Sequence, residues 1–166
     1  MKDLLDNIIR ASAERDAFFS APHIPAVPGS PVTPVDVAAL QAYWRQPVPP
    51  SYREALEVYD GIQEFWVGRP LLSAKQLIDG EDEAEGFEEP FPSLWRAVVI
   101  RDEDSYDAIA LDLGTRREDD EVEVVQVSSD GEERRWPTFR EYLESLLEDT
   151  MKERDREAAD RANLED

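Results

Sequence analysis

Three apolar runs between Leu94 and Val127 constrain the fold more than any other feature of this sequence. The segment reads LWRAVVIRDEDSYDAIALDLGTRREDDEVEVVQV. Its apolar runs, Leu94–Arg101, Tyr106–Leu113 and Glu121–Val127, are separated by acidic, turn-prone gaps, a pattern that predicts three strands. Because the gaps are short enough for hairpins, we expect an antiparallel meander.

Capping patterns predict helices around these strands. In each pattern a Ser or Thr precedes the helix, where its side chain can accept a hydrogen bond from the first turn. The patterns are Thr33 with Pro34 and Asp36, Ser51 with Glu54, Ser73 with Gln76, and Thr138 with Glu141. Phe65–Val67 and Leu71–Leu72, around Gly68, indicate a further strand pair. We therefore predict a single α+β domain in which helices pack on an antiparallel sheet.

Both ends of the chain extend beyond this domain, which we place at residues 34–147. Residues 1–19 predict an amphipathic helix that either packs on its own domain or docks a partner or a second copy. Residues 20–33 form a proline-rich linker that holds His23, the single histidine of the chain. Residues 148–166 keep helix-forming residues but lose the apolar face, which predicts a polar, solvated tail.

The net charge indicates what kind of partner to expect. The chain has 39 acidic and 18 basic side chains, a formal charge of −21. Such a field repels nucleic acid and anionic membranes, which are bound through Lys and Arg, and it attracts a basic protein. We therefore expect a protein partner, with no nucleic acid and no membrane. The same acidity also fits generic solubility or adaptation to salt.

The available residue types argue against a catalytic or metal centre. The chain has no cysteine, which excludes disulfides, thiolate metal sites and cysteine nucleophiles. His23 lies in a linker unsuited to orienting a serine triad. Asp102, Asp104 and Asp107 crowd one turn but lack the glycine and closing glutamate of a calcium loop. We expect no enzyme, no cofactor and no metal.

The location of the protein follows from hydropathy. No apolar run approaches the ~20 residues of a transmembrane helix. The first residues carry acids among their apolar positions and lack a signal-peptide core. We therefore expect a cytoplasmic protein.

Several segments, in this order, resemble the SUKH superfamily. PPSYREALEVYDG resembles its helix signature P-x-x-Y-x-x-x-L-x-x-Y-N-G, and LLSAKQL resembles its next short helix. DEDSYDAIALDL resembles its acidic turn and following strand, and VVQVSSDGEERRWPTFREYLESLL resembles its last strand, turn and closing helix. The similarity covers Thr33 to Leu147. Asp60 stands where Asn is usual, and Thr138 stands where Ser is common.

The resemblance implies an α+β fold with no catalytic centre. Many bacterial members are similar to immunity proteins that bind and block a toxin, often a nuclease, and other relatives act as interaction hubs. We therefore expect a non-enzymatic immunity protein that neutralises a cognate basic toxin by occluding its active or substrate-binding site with acidic loops. The alternative is a scaffold or regulatory interaction module with no toxin partner.

The candidate partner-binding residues are the acids of three loops and two tryptophans. The loop acids are Glu81, Asp82, Glu83, Glu85, Glu88 and Glu89, then Asp102, Glu103 and Asp104, then Glu118, Asp119, Asp120 and Glu121. Because consecutive hairpins reverse direction, the last two groups should lie at opposite ends of the sheet, and the first loop can act with only one of them. Tryptophans lie more often in the core than at a binding surface, but binding hot spots favour Trp, and Trp66 and Trp136, at strand edges, are the two of the four that better fit an exposed position.

Overall fold

The structure is a computed structural model that describes residues 1–18, 24–80, 96–101, 107–128 and 131–164. The helices are α1 (Lys2–Asp16), α2 (Pro34–Trp44), α3 (Pro50–Val58), α4 (Ala74–Ile78) and α5 (Phe139–Leu164), with a 3-10 turn at Leu113–Thr115. The strands are β1 (Val27–Pro28), β2 (Ile62–Trp66), β3 (Arg69–Leu71), β4 (Arg96–Arg101), β5 (Ala108–Asp112), β6 (Glu123–Ser128) and β7 (Gly131–Trp136). The arrangement is a single-domain α+β fold, as predicted.

The sheet is an antiparallel meander in which each strand pairs with the next in sequence, from β1 to β7. This confirms the meander predicted from the three apolar runs. All five residues of β5 are buried. A strand covered on both faces reads as a nearly continuous apolar run, because neither face selects polar residues.

Two apolar clusters lie on opposite faces of the sheet. The larger cluster joins one face, including Ile109 and Leu111, to residues from all five α-helices. The smaller cluster contains Val98, Ala108, Ala110, Val125 and Val127. A bulge in β4 between Val98 and Ile100 pairs Ile100 with Ile109, which brings Ile100 to the face that carries the helices.

Three of the four predicted capping residues accept the expected hydrogen bonds. Thr33 Oγ1 and Thr138 Oγ1 accept from the backbone N–H groups of Asp36 and Glu141, at 3.2 and 3.1 Å. Ser73 and Gln76 form a reciprocal capping box. The fourth prediction was wrong. Helix α3 begins at Pro50, after Pro49 at the cap position, and Ser51 lies inside its first turn without capping it. The proline locks the backbone into helical geometry two residues earlier than the serine pattern indicated.

The N-terminal helix α1 packs on its own domain, and runs beside α5 in the same direction. Leu5 and Ile8 of α1 are completely buried in the larger cluster. Near the start of both helices, the N-terminal ammonium and Arg140 of α5 bind the carboxylate of Glu54. Near the end of α1, Glu14 forms an ion pair with Arg154 of α5 at 2.7 Å. Residues 148–164, which we predicted to be a solvated tail, continue helix α5 as far as Leu164. Helix α1 packs against part of α5.

The proline-rich segment contributes a short edge strand. Val27 and Pro28 pair with β2, and the N–H of Gly29 donates to the carbonyl of Gly61 at 2.8 Å. A side chain on Gly29 would lie 2.3 Å from the carbonyl oxygen of Asp60, so only glycine fits this close approach. This contact holds the proline-rich segment against the residues that follow α3.

Candidate functional site

The acidic turn, residues 116–121, connects the 3-10 turn to β6. It closes through two backbone hydrogen bonds, from Asp120 N–H to the Arg117 carbonyl at 3.1 Å and from Arg117 N–H to the Glu121 carbonyl at 2.9 Å. Asp120 has a φ of +63°, a left-handed conformation that Asp adopts more readily than most residues. The acidic turn follows Asp112, the last residue of β5. It therefore lies at the opposite end of this strand from Ala108, where β5 begins.

Arginines in the acidic turn neutralise part of its charge. The guanidinium of Arg117 donates to both carboxylate oxygens of Asp119, at 3.2 and 3.1 Å, and thereby lowers the pKa of that carboxyl group. Arg116 lies 3.6 Å from the Asp120 carboxylate. Glu118 is exposed and has no hydrogen bond or ion pair with any residue that the structure describes. The turn therefore presents a weaker negative field than its sequence indicates.

The fourth acid of this turn, Glu121, is half-buried and is bound by helix α3. Its carboxylate oxygens accept hydrogen bonds from the backbone N–H and the hydroxyl of Ser51, each at 2.8 Å. The Ser51 hydroxyl oxygen in turn accepts from the backbone N–H of Phe139 at 3.1 Å, at the start of α5. One carboxylate thus joins the acidic turn to the first turns of α3 and α5.

The acids of the other two loops lie outside the described residues, and their role stays a prediction. They are Glu81, Asp82, Glu83, Glu85, Glu88, Glu89, Asp102, Glu103 and Asp104.

The two predicted tryptophans line one cavity between α5 and the sheet. The cavity has a volume of about 190 Å³, and Trp66 and Trp136 both contribute to its wall. The side chains of Ile109 and Leu146 also line it. Strands β2 and β7 are not neighbours in the sheet. The two indoles line the same cavity because α5 packs across the strands that lie between β2 and β7.

Trp136 is in a core position, the more common one for tryptophan, since only 8% of this residue is accessible. Its indole packs edge-on against the ring of Tyr142, with the centroids 5.0 Å apart, so α5 covers the strand end that looked exposed in the sequence. Trp66 is half-buried, and its Nε1–H donates to Thr150 Oγ1 of α5 at 3.2 Å. The two tryptophans therefore form part of a concave wall.

A two-residue turn positions Trp66 opposite Arg69. The central residues, Val67 and Gly68, both have positive φ, +54° and +77°, the pattern of a type I′ hairpin turn. Trp66 and Arg69 are direct cross-strand partners, and the Arg69 guanidinium lies 5.0 Å from the centre of the Trp66 ring. Stacking of this kind favours a fixed position for both groups.

A second arginine repeats this arrangement on β7. The guanidinium of Arg134 lies 4.8 Å from the centre of the Trp136 ring. It also pairs with Asp149 at 3.0 Å and donates to Ser145 Oγ at 2.8 Å, both on α5. Arg69 pairs with Asp107 at 3.9 Å. The mouth of the cavity is therefore lined by paired charges of both signs.

Two buried donors at the cavity lack partners. Trp136 Nε1 and the Tyr142 hydroxyl are inaccessible and form no hydrogen bond with any described residue. Burial raises the pKa of the Tyr142 phenol well above its usual range, against the opposing effect of nearby Arg69, so the hydroxyl keeps its proton. An unpaired buried polar group costs free energy, which makes two at one cavity a notable feature.

The sequence did not point to Arg69, Arg134 or Tyr142 as parts of a site. Tyr142 belonged to the apolar face of the last helix, where a core role explained it. Arg134 carried a usable signal, since it lies two residues before Trp136 on one strand and therefore shares its face. The position of Arg69 was also informative, because Arg69 and Trp66 flank the same two-residue turn and are therefore cross-strand neighbours.

Comparison with protein families matches residues 31–145 to the SMI1 / KNR4 family (SUKH-1). The chain belongs to this family. The SUKH-1 match runs from the residues before α2 into the first part of α5, and it includes the acidic turn, both tryptophans and Tyr142. Membership in SUKH-1 is compatible with an immunity or protein-interaction module. A comparison with curated protein sequences found no match.

No helix in the described part of the chain is both long and apolar enough to cross a membrane. Among those same residues, no group of three or more His, Asp or Glu side chains is placed to hold a metal ion.

Proposed function

We propose that this SUKH-1 protein is a non-enzymatic immunity protein that binds and neutralises a cognate basic toxin, such as a nuclease. Family membership over residues 31–145 is the observation that carries the proposal. Inhibition would be stoichiometric, through occlusion of the active or substrate-binding site of the toxin by acidic loops.

Charge supports a basic partner. The chain has a net charge of −21, and the sequence places nine acids, with no basic residue, in residues 81–95 and 102–106. A nuclease must present basic residues to the phosphates of its substrate. A dense negative surface is complementary to that groove, and it can raise the association rate toward ~10⁸–10⁹ M⁻¹s⁻¹ at low salt.

The cavity supports a second contribution to binding, an apolar anchor. Binding hot spots are enriched in Trp, Tyr and Arg and lie in desolvated pockets, and the cavity combines all three residue types. Charges at the edge of an interface mainly set the rate of association, whereas a buried anchor mainly sets the rate of dissociation. We therefore assign steering to the acidic loops and retention to the cavity.

Co-expression with the product of the gene directly upstream tests the proposal. If that product is toxic when expressed alone, the wild-type protein should restore growth and form a complex of fixed stoichiometry with it. A toxic product that is neither bound nor neutralised would contradict the proposal. A non-toxic neighbour that binds would favour the alternative function, a scaffold or regulatory module.

Charge-matched variants separate steering from a general effect of acidity. One variant carries Glu81→Gln, Asp82→Asn and Glu83→Gln, and its control carries Asp155→Asn, Glu157→Gln and Asp160→Asn on α5. Both lose three negative charges, and only the first should slow association with the toxin. The Debye length falls from ~10 Å at 0.1 M salt to ~3 Å at 1 M, so wild-type association should slow across that range. Association that is independent of salt would refute electrostatic steering.

A further inference from the structure

Helix α2 is apolar on the side that faces solvent as well as on the side that faces the core. Its buried residues are Val37, Leu40 and Trp44. Its outer face consists of uncharged residues only, namely Pro34, Val35, Ala38, Ala39, Ala42 and Tyr43. A surface helix normally carries charged and polar residues on its solvent side, and a helix that is apolar all round is usually buried. The outer face of α2 therefore has the composition of a contact surface.

This composition is unusual in a chain of which 34% of the residues are charged. The solvent side of the next helix in the chain, α3, carries Arg53 and Glu57, which form an ion pair at 2.7 Å. On α2, by contrast, Val35 is 76% and Tyr43 is 42% accessible. Contiguous exposed apolar residues indicate an interaction site, whereas single scattered ones do not.

The spacing along the outer face of α2 is that of a helix which packs on another helix. The i, i+3, i+4, i+7 pattern is present on this face at Val35, Ala38, Ala39 and Ala42. Two such faces, antiparallel about a two-fold axis, place Val35 of one copy against Ala42 of the other. Ala38 and Ala39 then face each other near the axis. Because a larger residue meets a small one at both ends, the outer face is complementary to itself.

Charge favours a second copy of this chain over a basic partner at the outer face of α2. Each copy has a net charge of −21, so two copies repel each other wherever their acids meet. They associate most readily through a region without charge. A basic partner instead gains from contacts with acids, which the outer face does not offer. Antiparallel packing also brings opposite ends of the two helix dipoles together.

We propose that this protein forms a reversible homodimer in which the outer faces of the two α2 helices pack antiparallel. The dimer is weak, because a helix of 11 residues is only about 16 Å long. A contact of this length buries less than the ~1,200 Å² of a stable interface, and we expect a dissociation constant of about 10 µM to 1 mM. The inference does not depend on the proposed function.

Sedimentation equilibrium of the full chain tests the dimer. Between about 10 µM and 1 mM, the average mass should rise from that of one chain toward twice that value. The rise should begin at a lower concentration in 1 M than in 0.1 M salt, because the Debye length falls from ~10 Å to ~3 Å and the repulsion between the copies is screened. Steering of a basic partner has the opposite dependence on salt. A chain that stays monomeric at every concentration and both salt levels would overturn the dimer.

A matched pair of substitutions locates the contact. Ala39→Glu places a carboxylate near the axis in both copies and should raise the dissociation constant about tenfold or more. Ala159→Glu is the control, because Ala159 is also an exposed alanine within a helix, on α5. It adds the same charge and should leave the dimer nearly unchanged. Glutamate is a good helix former, and thermal melts verify that both variants fold. Equal effects of the two substitutions would contradict a contact through α2.

A mixture of two variants tests the two-fold arrangement. Ala39→Lys also places like charges near the axis, so its homodimer should be weakened as well. In an equimolar mixture with Ala39→Glu, opposite charges meet near the axis, and a heterodimer should form about as readily as the wild-type dimer. A mixture that is no more associated than either variant alone would overturn the antiparallel arrangement. A monomeric wild-type chain whose Ala39→Glu variant no longer binds the toxin would refute the dimer and assign the outer face to the toxin.

Discussion

The carboxylate of Glu121 accepts hydrogen bonds from both the backbone N–H and the hydroxyl of Ser51, each at 2.8 Å, across 70 residues of sequence. It therefore satisfies a free N–H in the first turn of α3, where Pro49 provides no side-chain cap. A negative charge at this position also interacts favourably with the helix dipole. A role of Glu121 in partner binding stays a prediction, but its role in stabilising the fold can be measured.

We expect Glu121→Ala to lower the free energy of unfolding by about 1.5–3 kcal/mol, because hydrogen bonds to a charged group contribute about this much. Urea unfolding with an unchanged m-value would measure the loss. The control is Glu118→Ala in the same turn, which should stay within about 0.5 kcal/mol of wild type, as is usual for an exposed substitution. Equal effects of the two substitutions would show that Glu121 contributes no more than a surface acid.

The pH dependence of stability should reveal the burial of Asp60. Desolvation raises the pKa of this carboxyl group above its ordinary value of 3.8, and nearby Asp36 raises it further. The N–H of Ala74 donates to Asp60 Oδ1 at 2.7 Å and opposes this increase. A raised folded-state pKa means that stability is fully present below the unfolded-state value and is lost as pH rises through the folded-state value.

Asp60→Asn, which restores the residue usual in the family signature, should therefore raise the Tm at pH 7. The amide oxygen can still accept from Ala74, and no charge is desolvated. At pH 3 the carboxyl group is protonated in both states, so the two proteins should melt at similar temperatures. Thermal melts at both pH values measure the difference, and a gain at pH 3 as large as that at pH 7 would contradict the electrostatic explanation.

Helix α1 should contribute to the stability of the whole domain, although it precedes the family match. Leu5 and Ile8 are both 0% accessible. Truncation of a buried Leu or Ile to Ala usually costs about 2–5 kcal/mol, so Leu5→Ala should shift the midpoint of a single cooperative transition. Arg10→Ala, on the exposed side of α1, is the control and should have little effect. A separate early transition for α1 would show that the helix is only loosely attached.

The β2–β3 turn should gain stability when Val67 is replaced. A β-branched residue at φ +54° is strained by about 1–2 kcal/mol, and Asn tolerates this conformation much better. We expect Val67→Asn to raise the free energy of unfolding by about 1 kcal/mol. The loss of the apolar contacts of the partly buried Val67 side chain reduces this gain slightly. Val35→Asn, at an exposed position of α2, offers the same chemical change without relief of strain. It should bring no gain, and a gain equal to that at Val67 would remove the argument from strain.

Much of the fold followed from short-range patterns. The strands β4 and β5 lie within their predicted apolar runs, and β6 extends one residue beyond its run, to Ser128. The Thr33, Ser73 and Thr138 caps require only residues within three positions. The Ser51 cap failed because Pro49 and Pro50 start the helix earlier, which is a competition between two local signals. That α5 is the element which covers Trp136 could not be predicted, since it depends on where α5 crosses the sheet.

The sequence by itself determined the order and type of the main elements, the acidic character and the SUKH resemblance, because these depend on composition and on neighbours along the chain. Only the tertiary structure decided that Trp66, Trp136 and Tyr142 share one cavity and that Glu121 is bound to Ser51. Trp66 and Trp136 are 70 residues apart in the sequence, and so are Ser51 and Glu121. Their contacts arise from strand register and from the packing of α1 and α5, and a local pattern encodes neither.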